Sequence, residues 1–163
     1  MLIFAKGQLV VHCRDGLATV KDETILGDKE YFIVHTMRGS GENIYVPKDR
    51  AESIIRPVMS VDRAEELINY IKTVELEYNS NTKQRRDSLK RRLMSGDVND
   101  IAYLYKQLYF YKTQTDGSIK FGPVDLDMLN YASNNLLDEF AIVYKKDRDD
   151  IEEFVDKKIS KGS

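Results

Sequence analysis

The strongest constraint in this sequence is a change of hydrophobic period near residue 58. Before it, apolar runs are short and β-rich, and turn residues recur roughly every ten positions. Leu9-Val10-Val11-His12 follows Gly7, and Gly16 ends it. Leu17-Ala18-Thr19-Val20 opens a second strand that extends to Ile25, and Gly27-Asp28 supplies a turn. Tyr31 to His35 is a third strand, followed by the turn cluster Arg38-Gly39-Ser40-Gly41-Glu42-Asn43. Ile44-Tyr45-Val46 stops at Pro47, and Ile54 to Val58 is the last strand. Five short strands predict a small β-barrel, because closure removes exposed sheet edges.

After residue 58 the period becomes helical. Ser60 is an N-cap, and Leu67, Ile68, Ile71 and Val74 share one face. Tyr78-Asn79-Ser80-Asn81 breaks that pattern, and a second helix is predicted from about Thr82 to Met94, with Leu89 and Leu93 inward. Ser95-Gly96-Asp97 is a stop and restart: Gly96 suits a left-handed C′ position and Asp97 caps the next helix. That helix carries Val98, Ile101, Ala102, Tyr105, Leu108 and Tyr109 on one stripe. Gln114 to Ser118 reads as a loop, and Pro123 as a first helical position. Leu126, Leu129, Ala132, Leu136, Leu137, Phe140 and Val143 then recur at helical spacing. Asp147 to Ile159 predicts a short charged helix. The expected fold class is α+β with two domains, residues 1–58 a small barrel and 59–163 all-helical.

Charge excludes a histone-like binder, because 25 Lys and Arg face 27 Asp and Glu. Any nucleic-acid contact must come from a local patch. Residues 81–95 provide one, with Lys83, Arg85, Arg86, Lys90, Arg91 and Arg92 against the single acid Asp87. Lys83, Arg86 and Lys90 fall at i, i+3 and i+7 on one face, a stripe suited to phosphates. The same residues also suit a solvated face, with Asp87 four positions from Lys83 and from Arg91. Arg85 and Arg92 neighbour Leu89 and can lay their stems over the core. Tyr103 and Phe110, seven apart, share a second face that suits packing on a neighbouring helix or a partner surface.

No catalytic constellation stands out. His12 and His35 sit in predicted strands without ligand-spaced partners, and Cys13 has no cationic neighbourhood to activate it. Gly39-Ser40-Gly41 is too short for a phosphate loop and precedes a strand. The acid pairs Asp149-Asp150 and Glu152-Glu153 read as a solvated face. One Cys allows no internal disulfide, and no apolar run approaches the ~18 residues of a membrane span. The expectation is a soluble, cytoplasmic, non-enzymatic protein with no metal, cofactor or small-molecule substrate.

The order of these motifs resembles the CarD/CdnL-type bacterial transcription factors. The resemblance rests on Phe4-Ala5-Lys6-Gly7-Gln8-Leu9-Val10-Val11, Gly16, Val20, Glu30-Tyr31-Phe32-Ile33-Val34, Tyr45-Val46-Pro47, Arg56-Pro57-Val58 and Ser95-Gly96-Asp97-Val98. It covers nearly the whole chain. Residues 1–58 alone also resemble the polymerase-interacting domain of transcription-repair coupling factors. The resemblance implies a Tudor-like (SH3-like) barrel that docks on the RNA polymerase β-subunit lobe, partly by strand pairing. It also implies a helical domain that meets promoter DNA at the upstream edge of the melted region and stabilises the open complex, often at ribosomal RNA promoters. The implied polymerase-binding residues are Glu23, Ile44, Tyr45, Val46 and Pro47. The implied DNA-binding residues are Thr82, Lys83, Arg85, Arg86 and Lys90.

The chain departs from the family pattern in places. Family members commonly carry a Trp wedge where this chain has Thr82, and the chain has no Trp at all. Asp87 interrupts the basic stripe, and Glu23 and Tyr45 stand where some members are basic. His12-Cys13-Arg14 replaces a more usual Tyr-Pro-His type of segment. Two other functions remain compatible with the residues: a polymerase-bound protein adaptor using Tyr103 and Phe110, and a free-standing small-barrel RNA binder.

Overall fold

A computed structural model describes residues 3–38, 41–114 and 119–160. Of the segments read above, Gly39, Ser40 and most of the loop before Ile119 lie outside the described residues. The chain divides into two compact units, Met1–Met59 and Ser60–Ser163.

The first unit is a five-stranded antiparallel sheet: β1 (Leu9–His12), β2 (Gly16–Leu26), β3 (Lys29–Thr36), β4 (Asn43–Pro47) and β5 (Ile55–Pro57). The strand order is β4-β3-β2-β1-β5. Gly16 and Gly27 stand at φ +77° and +67°, values that only glycine adopts without strain, and each sits where a hairpin turns. A 3₁₀ turn (Lys48–Arg50) and a four-residue helix α1 (Ala51–Ile54) join β4 to β5. Neither was expected from the sequence.

The expected barrel closure is corrected in this respect: β4 and β5 are the two ends of the sheet order, and no β4–β5 ladder joins them among the described residues. Helix α1 packs beside both strands instead and contributes Ala51 to the core. Phe4, Val10, Ala18, Val20, Phe32, Val34, Val46 and Ile55 complete that core. Phe4 and Phe32 meet edge to face, 5.7 Å between ring centroids.

A bulge at Lys21 resets strand β2. Val20 pairs with Val34, but the next partner of Ile33 is Asp22, so Lys21 is the extra residue. Beyond it β2 leaves the core, and Ile25 and Leu26 are exposed.

Among the described residues the second unit holds five helices: α2 (Val61–Thr73), α3 (Thr82–Met94), α4 (Val98–Thr113), α5 (Pro123–Tyr144) and α6 (Arg148–Ser160). Their starts follow local chemistry. Ser60, Asn81 and Asp97 side chains accept the N–H of Arg63, Gln84 and Asn99 respectively. Gly96 takes φ +77° after α3.

Helix α4 packs against α2, α3 and α5, so a one-faced stripe describes it poorly. Ala102, Tyr103, Leu104, Tyr105, Gln107, Leu108 and Tyr111 are all buried. Tyr109, expected inward, is instead exposed, and Tyr103, assigned to a separate face, is 3% exposed. In α5 the expected Leu126 faces outward while Asp125 is buried. Helix α6 joins the bundle rather than trailing from it: Ile151 and Val155 are fully buried.

Candidate functional site

The edge strand β4 presents the first set of expected residues. Its outer neighbour position is empty of other strands among the described residues. The register aligns Glu23, Phe32 and Val46 in one row across the sheet, and Asp22, Ile33 and Tyr45 in the next. Adjacent rows point to opposite faces. Val46 is fully buried and Ile44 packs partly against the core, so these two hold β4 in place. Tyr45 is half exposed and meets Tyr31 edge to face at 6.5 Å. Pro47 closes the strand opposite Tyr31.

Glu23 belongs to the other face. It reaches Lys48 at 3.2 Å, and the Lys48 ammonium also lies 5.1 Å from the Phe32 ring centroid. The five residues therefore do not form one patch: Tyr45 and Glu23 are on opposite faces. The bulge at Lys21 sets this parity, and nothing in the composition of β2 announces it.

Helix α3 presents the second set, and the structure divides its six cations: three arginines turn inward, while both lysines and Arg91 stay exposed. The Arg85 residue is 3% exposed. Its guanidinium donates to the carbonyls of Asn79 (3.3 Å) and Lys120 (2.9 Å) and lies 5.3 Å from the Tyr111 ring centroid. Arg86 forms a two-pronged pair with Asp125, at 3.2 and 2.7 Å. Arg92 donates to Asp100 at 2.9 Å and sits 3.7 Å over the Tyr103 ring. The Lys83–Arg86–Lys90 stripe is corrected for Arg86, whose guanidinium is paired with Asp125, and the implied DNA-binding role is corrected for Arg85, which is buried.

Lys83 and Lys90 are exposed, as is Arg91. Lys83 approaches Asp87 at 3.6 Å, with both side chains mostly in water, so that pair contributes little. Lys90 and Arg91 form no ion pair among the described residues. Thr82 is half-buried at the first turn of α3, behind the Asn81 cap.

Asp125 explains why Arg86 turns inward. Its side chain is 2% exposed, and the carboxylate also accepts the Gly122 N–H at 2.8 Å, which starts α5. Burial opposes its ionisation. The Arg86 hydrogen bond, the Gly122 N–H and the charges of Arg86 and Arg85 outweigh burial, so its pKa lies below the usual carboxylate value.

The second face of α4 does not survive as a partner surface. Tyr103 is buried, and its hydroxyl accepts the Glu77 N–H at 2.9 Å. Only Phe110 of that pair is exposed. The adaptor role through both side chains is corrected on this ground.

His12 is a structural residue. Its Nδ1 accepts the N–H groups of Arg14 and Asp15, both at 3.2 Å, across the first hairpin turn. Accepting requires that nitrogen unprotonated, so the 3.3 Å approach of the Asp15 carboxylate is not an ion pair in this state. Burial lowers the His12 pKa against the pull of Asp15. Among the described residues, no group of three His, Cys, Asp or Glu side chains is placed to hold a metal. No described helix is long and apolar enough to cross a membrane.

Two family comparisons bear on these surfaces. The CarD C-terminal domain matches residues 66–156, more than half of the chain. The chain belongs to the CarD family. The CarD-like/TRCF RID domain matches residues 4–59, so both units of this CarD-family protein are accounted for. Domains of this kind belong to RNA polymerase-interacting transcription factors.

Proposed function

We propose that this CarD-family chain docks on the β-subunit lobe of RNA polymerase through its sheet domain and touches upstream promoter DNA through its helical domain. In this reading the sheet is the Tudor-like module. Its β4 edge and the Tyr45 ring meet the polymerase, by backbone pairing and packing. Val46 and Ile44 hold that edge from the core side. Glu23, tied to Lys48 on the other face, takes no direct part.

The DNA contact falls to Lys83 and Lys90, with Arg91 beside them. Arg85 and Arg86 fix the helix that carries them. Without an apolar wedge at Thr82, the contact is to phosphates and positions the protein without reading bases. Binding the open promoter complex better than the closed one would prolong its lifetime by population shift, about tenfold for each 1.4 kcal/mol of preference.

The observation that carries this reading is the tandem family match on a chain whose β4 edge carries no further strand among the described residues. Two variants test its halves. Tyr45→Glu should weaken binding to the isolated β lobe and leave the fold intact. Lys83→Glu with Lys90→Glu should shorten open-complex lifetime and leave β-lobe binding unchanged. Normal open-complex lifetime in the second variant would remove the DNA half, and undiminished lobe binding by the first would remove the docking half.

A further inference from the structure

A cleft of about 290 Å³ opens between α2, α4 and α6 of the helical domain. Ile71 and Ile159 form aliphatic walls, Tyr105 and Tyr109 an aromatic one, and Lys106 and Asp156 supply opposite charges. The two tyrosine rings lie 6.3 Å apart and 28° from parallel, and Tyr109 is 44% exposed, so a ring face is open to the cleft.

The polar groups of this cleft are under-used by the protein. Tyr105 is 4% exposed, yet its hydroxyl has no hydrogen-bond partner among the described residues. The oxygen itself is accessible, so it is free to meet a ligand in the cleft. The Asp156 carboxylate has neither ion pair nor hydrogen bond among the described residues, although Lys106 lines the same cleft. Lys106 gives one proton to the Val74 carbonyl at 2.8 Å and retains two more. Burial raises the pKa of Asp156, with the Glu152 charge adding to it, and burial lowers that of Lys106. Opposed shifts of this kind mark charged groups that are partly desolvated at the cleft.

The lining thus asks for a flat molecule with an N–H donor for Asp156 and an acceptor for Lys106 or the Tyr105 hydroxyl. Its rings must stack on tyrosine, and its net charge must be small, because the cleft carries one charge of each sign. We infer that this cleft between α2, α4 and α6 is a binding site for a nucleobase or a nucleoside presenting one. It is a ligand site, with no group placed for chemistry, and it lies apart from the cations of α3 in sequence and in lining residues.

The test is titration of the full chain with adenosine and with cytidine, followed by amide and tyrosine-ring NMR signals. Benzyl alcohol serves as an apolar ring lacking the N–H donor and the ring acceptor. The expected result is saturable binding of a nucleoside that shifts Tyr105, Lys106 and Tyr109 signals. Binding should fall at least tenfold in Tyr109→Ala, which removes the stacking face, and in Asp156→Leu, which removes the acceptor. Circular dichroism of both variants establishes that they fold. Three results would each overturn the inference: no saturable shift with either nucleoside, equal affinity for benzyl alcohol, or undiminished affinity in two folded variants.

Discussion

Replacing Arg86 with Met strips the buried Asp125 carboxylate of its two-pronged partner. The reverse change, Asp125→Asn, leaves Arg86 with a side chain that is already 24% exposed and able to reach water. The two halves of the pair are therefore unequal. Stranding a buried charge by deleting its partner costs about 3–5 kcal/mol. Arg86→Met falls toward the low end, roughly 3 kcal/mol, because the Gly122 N–H still serves the carboxylate. Asp125→Asn keeps an acceptor for that N–H and costs roughly 1–2 kcal/mol.

The pH dependence separates this account from simple loss of packing. In the parent chain the Asp125 pKa is held below its ordinary 3.8. Its contribution is complete above 3.8 and is lost as pH falls through the lower folded value. In Arg86→Met burial remains while the Arg86 hydrogen bond and charge are gone, so the folded pKa rises from its parent value. The variant's deficit is then largest near neutrality and shrinks as acid protonates the stranded carboxyl. Urea denaturation of parent and variants between neutral and mildly acid pH measures this directly. A deficit for Arg86→Met that is no larger than for Asp125→Asn, or that does not change with pH, refutes the reasoning.

Two further outcomes follow from the sheet domain. Val46→Ala should destabilise it by roughly 2 kcal/mol, because Val46 is fully buried beneath the edge strand, whereas Tyr45→Ala should cost under half as much; thermal melts of the two distinguish a core residue from a surface one. Because burial depresses the His12 pKa below its ordinary 6.5, the unfolded chain takes up the proton first as pH falls. His12 therefore stabilises fully above pH 6.5 and progressively less as pH falls toward its folded value. Hydrogen exchange of β1–β2 amides should show faster opening on acidification, and His12→Asn, which retains an acceptor for the turn, should show a smaller change; equal slopes would sink the idea.

The elements that sequence reading finds here are those set by local chemistry. Ser60, Asn81 and Asp97 cap helices through oxygen atoms two or three residues from the N–H they accept, and Gly96 ends α3 in a conformation that glycine permits. The strands of the first unit follow from β-rich runs between turn residues, and Pro47 fits the edge where β4 lies. What escapes is decided at a distance. The inward turn of Arg86 needs Asp125, 39 positions away, and the burial of Arg85 needs the Lys120 carbonyl, 35 away. The exchange of Tyr103 for Tyr109 on the core side of α4 arises because three helices surround α4, a fact that periodicity within one helix does not contain. One extra residue, Lys21, reverses which face Glu23 takes, and a two-residue alternation carries no mark of it.

The inward cations of α3 are all arginines, both lysines face outward, and Arg91 is the one guanidinium that stays in water with them. A guanidinium is planar and weakly hydrated, with donors arranged to meet a carboxylate or several carbonyls at once, so it tolerates the positions of Arg85, Arg86 and Arg92. A lysine ammonium is compact and strongly hydrated, and Lys83 and Lys90 remain in water. Three arginines thereby bind α3 to α4, to α5 and to the segments before α3 and α5, leaving the lysine face in a fixed orientation. If two lysines and Arg91 each meet one phosphate, binding to duplex DNA should weaken with salt at a slope near −0.9 per contact. Replacing Lys90 with Gln should reduce that slope by about one with no change in unfolding free energy, whereas Arg92→Gln should lower stability and leave the slope nearly as it was. Measuring both quantities on both variants separates the residues that meet DNA from those that hold the helix, and a fall in slope with Arg92→Gln equal to that with Lys90→Gln would overturn the division.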